Sequence, residues 1–191
     1  EMAGAIGKHI GFYASLRDNK IDKTILAEPS HLMQMKGGAY QHGKTNEGIS
    51  EYNEMAGGIT YAWKWGETGL IKDNLIWGDN YNGANILSGR TPSFPMIKLK
   101  LYPAKWLDFN YIHGWLVSEV IDSSRSYVNS DGRYRKVFRN KYIAANLFTI
   151  KPFQGINFSF GNSIVYSDMN VNPAYLLPFM FYKSIDHTLN H

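Results

Sequence analysis

Between Trp77 and Arg90 the chain gathers side chains able to hold a polyhydroxylated ligand: Trp77, Asp79, Asn80, Tyr81, Asn82, Asn85, Ser88 and Arg90. Amides and a carboxylate pair with hydroxyls, an aromatic face stacks on weakly apolar C–H surfaces, and Arg90 supplies a fixed cation. That mixture suits a sugar. The same Asn, Asp, Gly and Ser types also build turns, so shaping of a loop is the competing account of this stretch.

Other chemistry is poorly supplied. Gly78 and Gly83 have the spacing of a phosphate-cradling loop, but Ala84 and Asn85 stand where Lys and Ser or Thr belong. The histidines at 9, 31, 42, 113, 187 and 191 form no compact pair. Asp168, Asn170 and Asn172 resemble the start of a calcium loop, yet Pro173 replaces its turn glycine and Phe179 its bidentate glutamate, so they read as turn formers. There is no cysteine and hence no thiolate nucleophile or disulfide. A GxSxG nucleophile motif is absent, and Ser163 sits on an alternating, strand-like stretch. Asp73 with Asp79, or Glu51 with Glu54, would act as paired carboxylates only if the fold brought them together. No catalytic residue, metal site or cofactor is assigned, and the chain reads as non-enzymatic.

The elements that must carry these residues are strands. Of 191 residues, 13 are Tyr, 10 Phe, 5 Trp and 18 Gly, a profile favouring strands and polar turns over helices. Net charge is +4 with basic residues scattered, which admits acidic glycans or lipid headgroups as partners and argues against nucleic acid. No run of about 18 apolar residues offers a membrane helix. The opening EMAGAIGKHI lacks a basic start and apolar run, so any signal peptide is expected to have been removed or to lie outside this segment.

Apolar and polar residues alternate in several segments. Ile10, Phe12, Ala14 and Leu16 share one face, as do Ile59, Tyr61, Trp63 and Trp65, then Ile97, Leu99 and Leu101, then Leu107, Phe109 and Tyr111, and Ile156, Phe158 and Phe160. A further strand is expected near 139 to 150. A soluble sandwich would alternate in the same way, so the connections have to discriminate. After a strand at 57 to 65 comes the short GETG (66 to 69), then a strand at 70 to 78 and a long loop at 79 to 95. The short YPAK (102 to 105), a long loop at 117 to 138, the short KPFQG (151 to 155) and a long tail from Ser167 follow. Strict alternation of short and long connections is the habit of an outer-membrane β-barrel, with brief periplasmic turns and extended extracellular loops. Trp63, Trp65, Trp106 and Phe153 fall near the short turns, where an interfacial aromatic girdle belongs. Residues 18 to 56 break the pattern; MQMKGGAYQ reads as one strand within a loop or plug insertion. About seven or eight strands result, near the minimum for closure, so a part of a larger barrel is expected.

Two blocks resemble a known family. KDNLIWGDNYNGANILSGRTPSFPMIKLKLYPAKWLDFNYIHGWL (72 to 116) resembles the capsule-assembly outer-membrane proteins of the Wzi type, through its W-G pair, Gly-rich step, I-L-S stretch and Pro-containing strand entry. FGNSIVYSDMNVNPAYLLPFMFYKSIDH (160 to 187) is similar to a later block of that superfamily, in the branch of the RemB-like gliding-motility proteins of Bacteroidetes. The resemblance implies a large antiparallel barrel integral to the outer membrane, without enzymatic activity. In the capsule branch it implies surface polysaccharide or lipopolysaccharide held at the extracellular face. The alternative, from the motility branch, is a barrel subunit of an envelope complex for gliding, protein secretion or adhesion, with other outer-membrane proteins as partners. A hydrolase acting inside the barrel is a third reading, without a motif. The family's members are considerably longer than this chain, which accords with a partial barrel.

Overall fold

A computed structural model describes residues 1–22, 39–41, 49–78, 87–89 and 91–189. The expected antiparallel β architecture is present, with no helix long and apolar enough to cross a membrane among the described residues. No closed barrel is found among them. The chain divides into two compact units, Glu1–Lys98 and Leu99–His191.

The first unit contains β1 (Met2–Ile6), β2 (Ile10–Asp22), β3 (Ala39–Gln41), β4 (Ile49–Trp63), β5 (Gly66–Asp73) and the start of β6 (Phe94–Ala104), in the order β1-β2-β4-β5-β6 with β3 beside β4. β2 and β4 pair without a break from Ile10↔Tyr61 to Asp22↔Ile49. The excursion assigned to 18 to 56 is therefore shorter at both ends, because the strands continue into polar sequence that lacks an apolar stripe. Ala39–Gln41, inside the expected MQMKGGAYQ strand, pairs with Glu51–Asn53 on the edge of β4 that β5 has left by Gly57.

The hairpin between β4 and β5 corrects the expected GETG turn. The chain reverses at Lys64–Trp65, and Gly66–Gly69 already belong to β5, opposite Trp63–Thr60. Gly69 is a strand residue because a Cβ there would sit 2.7 Å from the Ile59 carbonyl oxygen and 2.8 Å from Thr60 Cγ2. It looks like turn chemistry and is instead a close approach between strands. β5 ends at Asp73 rather than at residue 78; among the described residues beyond it, the bridge Ile76↔Ser88 follows.

The second unit contains the rest of β6, β7 (Leu107–Leu116), a small hairpin of β8 (Tyr127–Val128) and β9 (Tyr134–Arg135), β10 (Lys141–Phe153) and β11 (Ile156–Tyr166). β6, β7, β10 and β11 are neighbours in that order. A turn of 3-10 helix (Pro173–Leu176) and α1 (Tyr182–Leu189) follow. The turns expected at YPAK and KPFQG lie later in each segment, at Lys105–Trp106 and Gln154–Gly155, because Pro103 and Pro152 are accommodated within strands. The 117 to 138 loop is not featureless: it holds β8, β9 and the bridge Ile121↔Phe138.

Within each unit the short connections share one end and the long ones the other, as the alternation predicts. In the first, the turn at 7–9 lies beside the end of β4, where Ala62 N donates to His9 O at 2.7 Å. In the second, Lys151 N near the end of β10 donates to Trp106 O in the tight turn between β6 and β7 at 2.8 Å. Trp65 and Trp106 occupy those turns, while Trp63 and Phe153 are the last residues of their strands.

Packing differs between the units. In the first, register puts Ile10, Phe12 and Leu16 of β2 beside Tyr61, Ile59 and Met55 of β4, with Leu70 of β5 opposite Ile59. That face is exposed, Ile59 at 63% and Leu70 at 61%. The opposite face carries polar pairs beside a buried apolar residue: Tyr13 Oη donates to Asp73 Oδ2 at 2.6 Å, Lys98 pairs with Glu67 at 2.7 Å and Arg17 with Glu54 at 3.8 Å, while Ile71 is buried next to Gly58. In the second unit the aromatic face of β7, β10 and β11 is covered by the chain's own tail. Phe109, Tyr111, Ala144, Tyr175 and Tyr182 are buried there, with Leu99, Leu101, Phe148, Ile164, Tyr166 and Ile185 packed around them. The other face carries the Lys151–Asp108 ion pair and the Thr149–Ser159 hydroxyl pair, at 2.8 Å.

Candidate functional site

At the long end of the first unit, the described residues on either side of the sugar-binding candidates are tied to each other. Trp77 N donates to Leu87 O at 3.0 Å, and Asn74 Nδ2 donates to Gly89 O at 3.1 Å. Below this, Lys72 Nζ donates to Ser93 Oγ at 2.9 Å and to Met55 O at 3.0 Å. Leu87 is buried and Trp77 half-buried. Gly89 has φ +70, and a Cβ there would run into the Ile76 side chain, so both its backbone conformation and its neighbours require glycine. Of the predicted ligand set, Trp77 stands among these tied residues; Asp79, Asn80, Tyr81, Asn82, Asn85 and Arg90 lie outside the described residues.

At the long end of the second unit, the connection between β7 and β10 and the segment after β11 border a polar cleft of about 320 Å³. Its walls are Asp122, Ser124, Arg125, Arg139, Asn140, Ser167, Asp168 and Met169. Strand pairing creates it: Tyr142↔Tyr166 is the last matched pair of β10 and β11, so 139–140 and 167–169 emerge side by side. Asn140 Nδ2 donates to Met169 O at 2.6 Å and Ser167 Oγ to Asn140 O at 2.7 Å. Across from them, Asp122 Oδ1 accepts from Ser124 N and Oγ, at 3.1 and 2.6 Å. Those bonds, led by the Ser124 hydroxyl and joined by the Arg125 charge, hold the Asp122 carboxyl below its ordinary range. Of the basic residues Arg125, Arg133, Arg135, Lys136 and Arg139 in and just after this connection, Arg125 and Arg139 line the cleft.

The tail beside this cleft is built for docking. Asn172 Oδ1 caps the 3-10 turn by accepting from Ala174 N at 3.0 Å, and Asp168 Oδ1 accepts from Met169 N at 2.7 Å. The Asx residues thus serve as caps and turn formers, and no cluster of three or more His, Asp and Glu able to hold a metal occurs among the described residues. Buried Asn146 donates to Pro178 O and Met180 O, both at 2.9 Å, and Asn162 Oδ1 accepts from Tyr182 N at 3.0 Å. Phe179 stacks on Phe109 at 4.6 Å, and Tyr111 Oη donates to Tyr175 O at 2.9 Å. Burial raises the phenol pKa of Tyr175 and Tyr182 above the ordinary value.

Of each candidate carboxylate pair, the side chain of one member is described. Asp73 is occupied by Tyr13 Oη and Asn74 N, and Glu54 by Arg17. Their expected partners Asp79 and the Glu51 side chain lie outside what is described. Ser163 is exposed in β11 opposite Ala145, with no histidine at that register. The cleft residues Asp122, Asn140 and Asp168 were not singled out in the sequence as a ligand set. The signal that could have found them is the β10–β11 pairing, which carries 139–140 to 167–169. Comparison with protein-family models, with curated proteins and with solved structures gives no match.

Proposed function

We propose that this chain is part of an outer-membrane β-barrel that holds surface polysaccharide at its extracellular, long-loop end without chemical turnover. The observation that carries the membrane reading is the polarity of the first unit. Its strands leave Ile10, Leu16, Met55, Ile59 and Leu70 exposed on one face, while ion pairs and a Tyr–Asp hydrogen bond lie on the other beside buried Ile71. In water each such side chain forgoes roughly 1.5–3 kcal/mol of burial. A lipid-facing strand needs apolar side chains out and polar ones in. An apolar groove of about 860 Å³, bordered by Met2, Phe12, Leu16, Met55 and Ile59 with Lys72 at its edge, lies on this face.

The segregation of short and long connections supports the topology of such a barrel, whose remaining strands would come from outside this segment. The sugar reading rests on the composition of the 79 to 95 loop and on the tie between Trp77 and Leu87. It is tested by purifying the protein in detergent and measuring polysaccharide binding. Replacement of Trp77 and Asp79 by Ala should abolish binding while the sheet stays folded. Unchanged binding would remove that loop from the site.

One observation favours a second reading, docking of an envelope protein in motility, secretion or adhesion. The 117–140 connection exposes Val117 at 89%, together with Val120, Tyr127, Val128 and Tyr134. Co-purification of a stoichiometric partner that is lost on Val117→Asp would support it.

A further inference from the structure

The geometry points to the cleft of the second unit as a subsite for an acidic sugar residue, with an anionic carboxylate or phosphate at Arg125 and Arg139 and ring hydroxyls at Asp122, Asp168 and Asn140. This deepens the polysaccharide reading and rests on it, but places the contact on different elements from the 79 to 95 loop.

Charge balance comes first. The ion pairs among the described residues are Arg17–Glu54, Lys98–Glu67 and Lys151–Asp108, so neither cleft guanidinium is within ion-pair distance of a carboxylate, although the Arg125 charge already acts on Asp122. A guanidinium presents planar N–H donors matched to carboxylate and phosphate oxygens. Two of them bordering one small cleft offer more than the attraction of a scattered basic surface.

The carboxylates decide what kind of anion fits. Asp122 and Asp168 line the same cleft, and a bare phosphate or sulfate would meet both charges as repulsion. A sugar acid separates the two requirements, because its anionic group lies on one side and its hydroxyls on the other. Carboxylate oxygens are acceptor-only and suit hydroxyl donors, and an amide such as that of Asn140 both donates and accepts. The cleft volume, about 320 Å³, lies at the small end of ligand sites and suits one sugar unit rather than a chain.

The walls are held before a ligand arrives. Ser124 fixes Asp122, Arg139 N donates to Val120 O at 2.9 Å, and the Asn140 amide is bonded to Met169 O. The carboxylate and the amide are thus ordered in advance, which is what preorganisation contributes to affinity, whereas the exposed Arg125 and Arg139 side chains become ordered on binding.

The test uses the full chain in detergent micelles, titrated calorimetrically with a glucuronic-acid-containing oligosaccharide, its neutral glucose counterpart of equal length, and inorganic phosphate. The acidic oligosaccharide should bind best, and Arg125→Gln or Arg139→Gln should weaken it about tenfold or more, with the sheet signature unchanged. Asp168→Asn separates an acidic sugar from a bare anion: it should weaken the oligosaccharide, whereas a plain anion site would bind phosphate more tightly once a negative charge is gone. Equal binding of acidic and neutral oligosaccharides, or phosphate binding that Asp168→Asn strengthens together with that of the sugar, overturns the proposal. Binding that depends on Trp77 but ignores both arginines overturns this subsite and leaves the polysaccharide reading standing. Absence of any oligosaccharide binding overturns both.

Discussion

Asn146 is nearly devoid of solvent, and its side-chain nitrogen donates to two tail carbonyls, Pro178 O and Met180 O, while its oxygen accepts from Asn162. Asn146→Ala should cost roughly 2–4 kcal/mol, since buried carbonyls and an amide lose their partners at once. The check is unfolding in detergent together with limited proteolysis, which should cleave between 167 and 189 much faster in the variant. Asp122 gives a pH test. Its carboxyl pKa is lowered in the folded chain, so its contribution is present above the ordinary carboxylate value near 4 and is lost as pH falls through the lowered one. The Ser124 and Arg125 amide signals should therefore change only in strong acid, and Asp122→Asn should remove that titration. At this scale, side-chain types reveal kinds of chemistry but not assembly. The richness of residues 79 to 90 is visible at once because they are neighbours in sequence. Asp122, Arg139 and Asp168 become one cleft only through the pairing of β10 with β11.

Strands are the most legible elements, because a two-residue period survives in Ile10–Leu16, Ile59–Trp63 and Leu107–Tyr111 whatever lies on either side. Strand ends are the least legible, and the reasons are local. Gly66 and Gly69 suggest a turn, yet Gly69 serves the close passage of β5 past Ile59 and Thr60. Gly69→Val should therefore split the β4–β5 pairing and lower stability by roughly 1–3 kcal/mol. Replacing Lys64–Trp65 by Asn–Gly, a common two-residue hairpin pair, should preserve the fold; the two variants can be compared by thermal unfolding in detergent. Polar strands such as 18–22 and 49–56 give no alternation to read, so β2 and β4 look shorter in sequence than they are. The recurrence of Lys–Trp in the turns 64–65 and 105–106 supplies a further prediction. In a barrel both indoles would lie at the headgroup level, so their fluorescence should be quenched by lipids carrying a shallow quencher more than by lipids quenching at the bilayer centre.

For the whole molecule, antiparallel β class and segregation of short from long connections follow from the order of strands and turns along the chain. Membership of a larger barrel does not, since closure depends on strands beyond this segment. The docked tail was equally out of reach: Pro173 and Pro178 bracket an apolar run, but only the buried Asn146 and the aromatic face of β7, β10 and β11 explain why it folds back. The central claim is that the bare apolar face of the first unit meets lipid. The absence of cysteine permits a clean test, with an environment-sensitive probe attached to Ile59→Cys in one sample and to Thr60→Cys in another, both reconstituted in vesicles. The account predicts that the probe at position 59 is quenched by a quencher at the bilayer centre while the probe at position 60 is not. A chain that is monodisperse in water without detergent, with both positions equally open to an aqueous quencher, would contradict it.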